Sequence, residues 1–452
     1  MKQSIASLLS TVLITLATTG ACAAGGVDEK VQLPEDVLPQ LKPLLERAMQ
    51  QSPKVLERNL DLVLAEADGY VARSSSLPSV GGYAQYQLQK EKLIDGTGWN
   101  NKDKLGYNFS INQSVWQWGA LEATRKISRI DRDLAKKNYS EAFRVLAGEV
   151  RSAYLGLVLN KMVVRNAELT FRLAQGNLAR QQARYSANQV TYGEIMTHQL
   201  RVDEASLAMR RAKADLVFLL DSFRSMCGDV ALTEAEIPEA IGDITEAPAV
   251  APVVASSAID DSAEVKIVEM EVEKAKLARV GPRYALYPKL GLTAGISRDQ
   301  YTQPQDKGTY RYQADTAFIG TVVNWNLFDG LSSKGQRLAA LTRLRRAEQK
   351  LVSSRLVVAR KLARASDNVG FTWDSYQVAK MHLRMASEGL THQREEAGRG
   401  LVSQEQIDAA QGNVFSHQYY AQAALAAHLS AVVEYLSSKG ADPVARVGVQ
   451  QH

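Results

Sequence analysis

The chain has 452 residues, 45% of them apolar and 23% charged, with a formal net charge of +5. That length exceeds what one hydrophobic core usually serves, so two or more units are expected. The charge is spread without the Lys/Arg block of a nucleic-acid tract, and two cysteines, Cys22 and Cys227, exclude a disulfide framework.

At the start, Lys2, the apolar run from Ile5 to Thr18 and Ala21-Cys22-Ala23-Ala24 read as a signal peptide over 1–24. Cys22 offers a second reading, a lipidated N-terminal cysteine, although Thr19 stands where such signals usually carry leucine. Both readings imply export. No later segment supplies about 18 consecutive apolar residues, so no spanning helix is expected in the mature chain. The remaining destinations are the periplasm, the medium, or the outer membrane as a β-barrel.

A helical pattern runs from 34 to 73, interrupted at Ser52-Pro53, where Ser can cap and Pro suits a first turn. A β-segment over 82–90, a polar loop over 95–104 and a strand over 107–116 then read as a hairpin, bounded at 80–116. Tyr107, Phe109, Ile111 and Val115 alternate with Asn108, Ser110, Asn112 and Ser114. One apolar and one small-polar face suits a strand with lipid or core on one side and water on the other. From Trp116 to about 186 the periodicity is helical; seventy residues of helix span roughly 100 Å. The chain holds no proline between Pro78 and Pro238, as such a helix requires. A second helix is expected over 191–227, closed by Gly228.

Residues 229–258, rich in Pro and Ala, read as a linker. The same order then recurs: a helix over 262–279, a strand from Pro288, a polar loop over 299–315, a second strand and a long helix to about 396. The second strand carries Ile319, Val323, Trp325 and Leu327 on one face, and the hairpin is bounded at 288–328. At an offset of 212, Val358, Leu362, Ala365 and Val369 align with Leu146, Val150, Ala153 and Leu157. Asn188-x-x-Thr191-x-x-Glu194 aligns with Gly400-x-x-Ser403-x-x-Gln406, and Gly228 with Gly440. The chain therefore divides into a first repeat (25–228), the linker, a second repeat (259–442) and a tail (443–452).

Each repeat supplies two strands of about ten residues, enough to cross a membrane with tilt. Four strands cannot close, because single-chain membrane barrels begin at about eight and backbone groups in lipid need internal partners. Several copies must pool their strands.

These features resemble the TolC-like outer-membrane export channels. The likeness rests on Ala72-Arg73 with Leu77-Pro78, Gln113-Ser114-Val115-Trp116, Arg184-Tyr185, Trp325-Asn-Leu-Phe-Asp-Gly330, Glu396-Ala-Gly-x-Gly400-x-x-Ser403, and Gly228 with Gly440, and covers about 40–442. It implies a mainly α fold with membrane β: duplicated long-helix hairpins forming an α-barrel, and four strands per chain in a trimeric twelve-stranded outer-membrane barrel. It also implies a homotrimer in outer-membrane lipid that meets a periplasmic adaptor and an inner-membrane ABC or proton-driven pump. The helix-hairpin tips would form the periplasmic aperture, with Glu194, Glu405 and Asp408 as candidate gate residues. Tyr107, Phe109, Ile111, Val115, Ile319, Val323, Trp325 and Leu327 are the candidate lipid-facing residues. The Leu327-Phe-Asp-Gly330 junction and the weak lipidation signal favour type I secreted protein as cargo, with drug or small-molecule efflux as the alternative.

Catalysis and metal or cofactor binding are not expected. The six histidines are scattered without metal-ligand spacing, and Gly330-Leu-Ser-Ser-Lys-Gly335 has Gln336 where a phosphate loop has lysine. A soluble periplasmic coiled-coil adaptor is the rival reading, since its helices would look alike.

Overall fold

The computed structural model describes residues 32–92, 99–244, 259–305, 308–440 and 442. The expected signal peptide with Cys22, residues 245–258 of the linker, and the tail from 443 lie outside them.

Three N-terminal helices, α1 (Pro34–Val37), α2 (Leu41–Gln51) and α3 (Pro53–Ser74), lead into strands β1 (Ser79–Glu91) and β2 (Asn100–Trp116). Helix α4 (Ala120–Ser186) and α5 (Tyr192–Met226) complete the first repeat. The second repeat contains α6 (Ala263–Ala278), α7 (Val280–Arg283), β3 (Lys289–Gln305), β4 (Gly308–Asn324), α8 (Ser332–Gly398) and α9 (Gln404–Lys439). Helices α4 and α8 have 67 residues each, about 100 Å of helix. No helix among the described residues is long and apolar enough to cross a membrane.

The repeat reaches into the backbone. Left-handed residues recur at the 212 offset: Trp118 and Gly119 match Gly330 and Leu331 before the long helices, Asn188 matches Gly400 at the tips, and Gly228 matches Gly440. Glycine is indispensable at 228 for a second reason. A Cβ there would lie 2.7 Å from the carbonyl oxygen of Gln51, at the end of α2.

The strands pair antiparallel in the order β1-β2-β3-β4. They are longer than the expected ten residues, with 13 in β1 and 17 in each of the others. The segment expected as a loop over 299–315 is largely ladder, with Asp299 opposite Ala314 and Gln303 opposite Tyr310. Long-range contacts hold this polar extension: Tyr301 stacks on Tyr312 at 4.9 Å, and Lys102 of β2 lies 4.2 Å from the Tyr301 ring. Seventeen residues extend roughly 56 Å, well past a hydrocarbon layer of about 30 Å.

The core sits at mid-length of the long helices. Leu146, Val150, Tyr154 and Leu157 of α4 pack with Leu41 and Leu45 of α2, Phe223 of α5, Leu425 of α9, and Ile237 and Ile241 of the segment after α5. Cys227 is fully buried here, and burial pushes its thiol up to about 11.

His428, on α9, is buried with Nδ1 3.2 Å from Thr372 Oγ1 and its ring beside Trp373. Burial depresses its pKa below the usual 6.5. The unfolded chain therefore takes up the proton first, and the stability present above about pH 6.5 falls as pH drops toward the folded value. His428→Gln should flatten that loss in denaturant titrations between neutral and mildly acid pH; identical slopes would contradict this placement.

Candidate functional site

Same-face residues follow from the ladder register. One row runs Val80, Ile111, Ala294, Ile319 and the next runs Gly82, Phe109, Ile296, Ala317. Leu290, Leu292 and Val323 share this face. The opposite face carries Ser79, Asn112, Thr293 and Gly320, then Tyr83, Asn108, Ser297 and Thr316. Thr293 Oγ1 donates to Asn112 Oδ1 at 2.9 Å there. A largely apolar face, interrupted at Gln113 and Thr321, thus backs onto one of mainly small and polar side chains that also carries Tyr83 and Phe318. Two glycines let aromatic rings lie across the ladder: a Cβ at Gly82 would lie 2.4 Å from the Phe109 ring, and one at Gly295 2.8 Å from Phe318. One row further along, Arg298 Nη2 donates to Asp315 Oδ2 at 2.7 Å, bordering the apolar band with charge.

Of the expected lipid-facing residues, Tyr107, Phe109, Ile111, Ile319 and Val323 share the apolar face, and Ile319 is 88% exposed. The other three do not belong to its regular alternation. Val115 falls in a bulge between Ser114 and Trp116, which brings Trp116 opposite Leu290. Trp325 and Leu327 lie beyond β4, which ends at Asn324. Trp325 instead donates its Nε1–H to the Leu286 carbonyl at 3.0 Å, and Trp118 donates to that of Pro288 at 2.7 Å. Trp116, Tyr284 and Tyr287 surround Trp118 in an aromatic cluster at the foot of the sheet.

At the far end of the long helices the tips are alike in backbone. Thr191 and Ser403 both cap their helices in capping boxes closed by Glu194 and Gln406. Glu194 is thereby occupied locally, receiving the Thr191 N–H at 3.2 Å. Glu405 and Asp408 face the other repeat: Gln181 Nε2 donates to Glu405 Oε1 at 2.7 Å, and Arg180 pairs with Asp408. Gln404 Nε2 also donates to Asp408 Oδ1, at 3.0 Å. The geometry joins α4 to α9 near the tips. Arg180 and Gln181 were not among the expected residues, because nothing local in α4 marks partners more than two hundred positions away.

Every layer ends on the same two sides of the chain. The sheet runs from β1 to β4. Toward the sheet the helices pack as α3-α4-α6-α8, and toward the tips as α5-α4-α9-α8. First-repeat elements thus form one flank and second-repeat elements the other. Large apolar side chains stand exposed on the outer helices of both, including Leu60 and Leu64 of α3, Phe218 of α5, and Leu338, Phe371 and Met385 of α8. Unpaired strand edges beside unpartnered apolar helix faces suit head-to-tail closure.

Residues 44–222 match the family model of the outer membrane efflux protein. The fold over nearly the whole chain is similar to the Campylobacter jejuni CmeC outer membrane channel, with a TM-score of 0.74 at 12% identity, covering 98% of this chain and 97% of that one. The chain carries an outer membrane efflux protein domain and has the TolC-like channel fold. The fold is also similar to that of the outer membrane protein VceC of Vibrio cholerae, with a TM-score of 0.69, 16% identity, and 90% and 97% of the two chains covered. The open state of the Neisseria gonorrhoeae MtrE outer membrane channel gives a TM-score of 0.65 at 14% identity, with 89% of each chain covered. No curated protein matches it by sequence.

Proposed function

We propose that three copies of this chain close β4 against β1 of the next copy, making a twelve-stranded outer-membrane barrel on a periplasmic helical tunnel. The assembly is the exit duct of a tripartite export system, meeting a periplasmic adaptor and an inner-membrane pump. The observation that carries this is the agreement of three layers: sheet, upper helices and lower helices all stop at the same two flanks. The small-polar sheet face lines the lumen and the apolar face meets lipid. Such a duct needs no chemistry of its own.

The α4–α9 tie at Arg180, Gln181, Glu405 and Asp408 restrains the periplasmic aperture, and Glu194 serves only as a helix cap. Wild-type protein in planar bilayers should conduct weakly, and Arg180→Ala with Gln181→Ala should raise single-channel conductance. Absence of any conducting state in both would contradict the duct; equal conductance would contradict the restraint.

Secreted polypeptide is the cargo favoured by the Leu327–Gly330 junction. Small-molecule efflux is the second reading, supported by the matched family's description. Deletion that raises drug or metal sensitivity while leaving the secreted proteins unchanged would decide for efflux.

A further inference from the structure

A groove of about 750 Å³ lies between α3 and α4, just below the sheet, and four arginines line it: Arg73, Arg125, Arg129 and Arg132. Arg73 is in the last turn of α3 before β1, and Arg125 is in the second turn of α4 after β2. None of the four side chains makes a hydrogen bond or salt bridge with another described residue. Glu122, near Arg125, is paired with Lys126 at 2.8 Å. Asp131 is held by Lys274 at 2.5 Å. Glu66 is the carboxylate on the lining, so arginine prevails four to one. Guanidinium groups present fixed forks of donors that match phosphate oxygens.

The repeat shows that this groove is no by-product of the architecture. At the 212 offset, α8 has Arg337 opposite Arg125, but Leu341 and Leu344 opposite Arg129 and Arg132. Leu344 is buried, so that position is packed in the second repeat and open and basic in the first. The groove is also amphipathic. Tyr70 and Leu77 on its lining are exposed, and Leu77 lies two residues before β1, which opens with Ser79.

We propose that this groove binds the phosphodiester headgroup of an anionic phospholipid from the leaflet at the foot of the sheet. The arginines take the phosphate, and Tyr70 and Leu77 receive the start of the acyl chains. The proposal rests on the sheet spanning the membrane. A basic cluster next to a spanning segment is where anionic headgroups gather.

The test uses purified full-length complexes and native mass spectrometry, offering phosphatidylglycerol, phosphatidylcholine or inorganic phosphate. Wild type should retain phosphatidylglycerol over phosphatidylcholine by about tenfold, the order expected of several cations at a charged leaflet. Arg125→Gln with Arg129→Gln and Arg132→Gln should lower that preference to about twofold or less, and the corresponding lysine variant should restore most of it. No preference in wild type, or full preference in the glutamine variant, overturns the proposal. Inorganic phosphate displacing the lipid at equal concentration overturns the lipid as source. Glutamine variants that extract only as single chains would assign the arginines to subunit contact and also overturn it. Heat-modifiable wild-type oligomers in the outer membrane, scored in parallel, test the membrane reading separately.

Discussion

Arg151→Ala should destabilise the protein by about 3–5 kcal/mol, the usual effect of removing one partner from a buried ion pair. Arg151 is 1% exposed on α4, within the mid-helix core. Its Nε donates to Glu35 Oε2 at 2.9 Å and its Nη1 to Asp442 Oδ2 at 2.6 Å. These partners lie 116 and 291 positions away in the chain. One guanidinium thus pins α1 and the segment after α9 to the longest helix of the first repeat. Without it, two carboxylates exposed by 10% or less remain beside one another inside the protein. Arg151→Lys should recover only part of the loss, because an ammonium cannot bridge two carboxylates with a planar fork. Thermal unfolding of the detergent-solubilised protein reads both effects. A loss below about 1 kcal/mol would show the pairs to be as weak as surface salt bridges.

Ile111→Arg carries the second large effect. Ile111 lies mid-row between Val80 and Ala294 on the apolar face. A cationic side chain on the lipid face of a membrane barrel costs about 2–4 kcal/mol near the midplane, and a trimer would bear it three times. Asn112→Arg, one residue along, turns the charge to the opposite face and should be tolerated. The readout is the yield of heat-modifiable oligomer in outer-membrane fractions, low for Ile111→Arg and near wild type for Asn112→Arg. Equal yields would mean that the two faces are not separated by lipid and water.

What the residues alone disclosed was governed by period. The alternation at 107–112 and the helical stripe through Leu146 repeat within a short window, and the 212-residue duplication repeats the stripe at Val358, so each was legible. The pairing of 299–315 was not, because Tyr301, Tyr312 and Lys102 stabilise a polar ladder across strands. Strand ends failed for a similar reason. The bulge at Ser114/Trp116 and the Trp325–Leu286 hydrogen bond terminate the alternation through contacts with other segments. At the tips, Glu194 aligned with the neutral Gln406, yet both close capping boxes, because the box requires an acceptor oxygen and not a charge. Arg180 and Arg151 find their carboxylates hundreds of positions away, beyond any local pattern.

As proposed, this chain is one third of a closed tube. Native mass measurement of the complex extracted from outer membranes tests it most directly. Extraction should require detergent, and the particle should contain three chains. Single chains released by osmotic shock without detergent would contradict it.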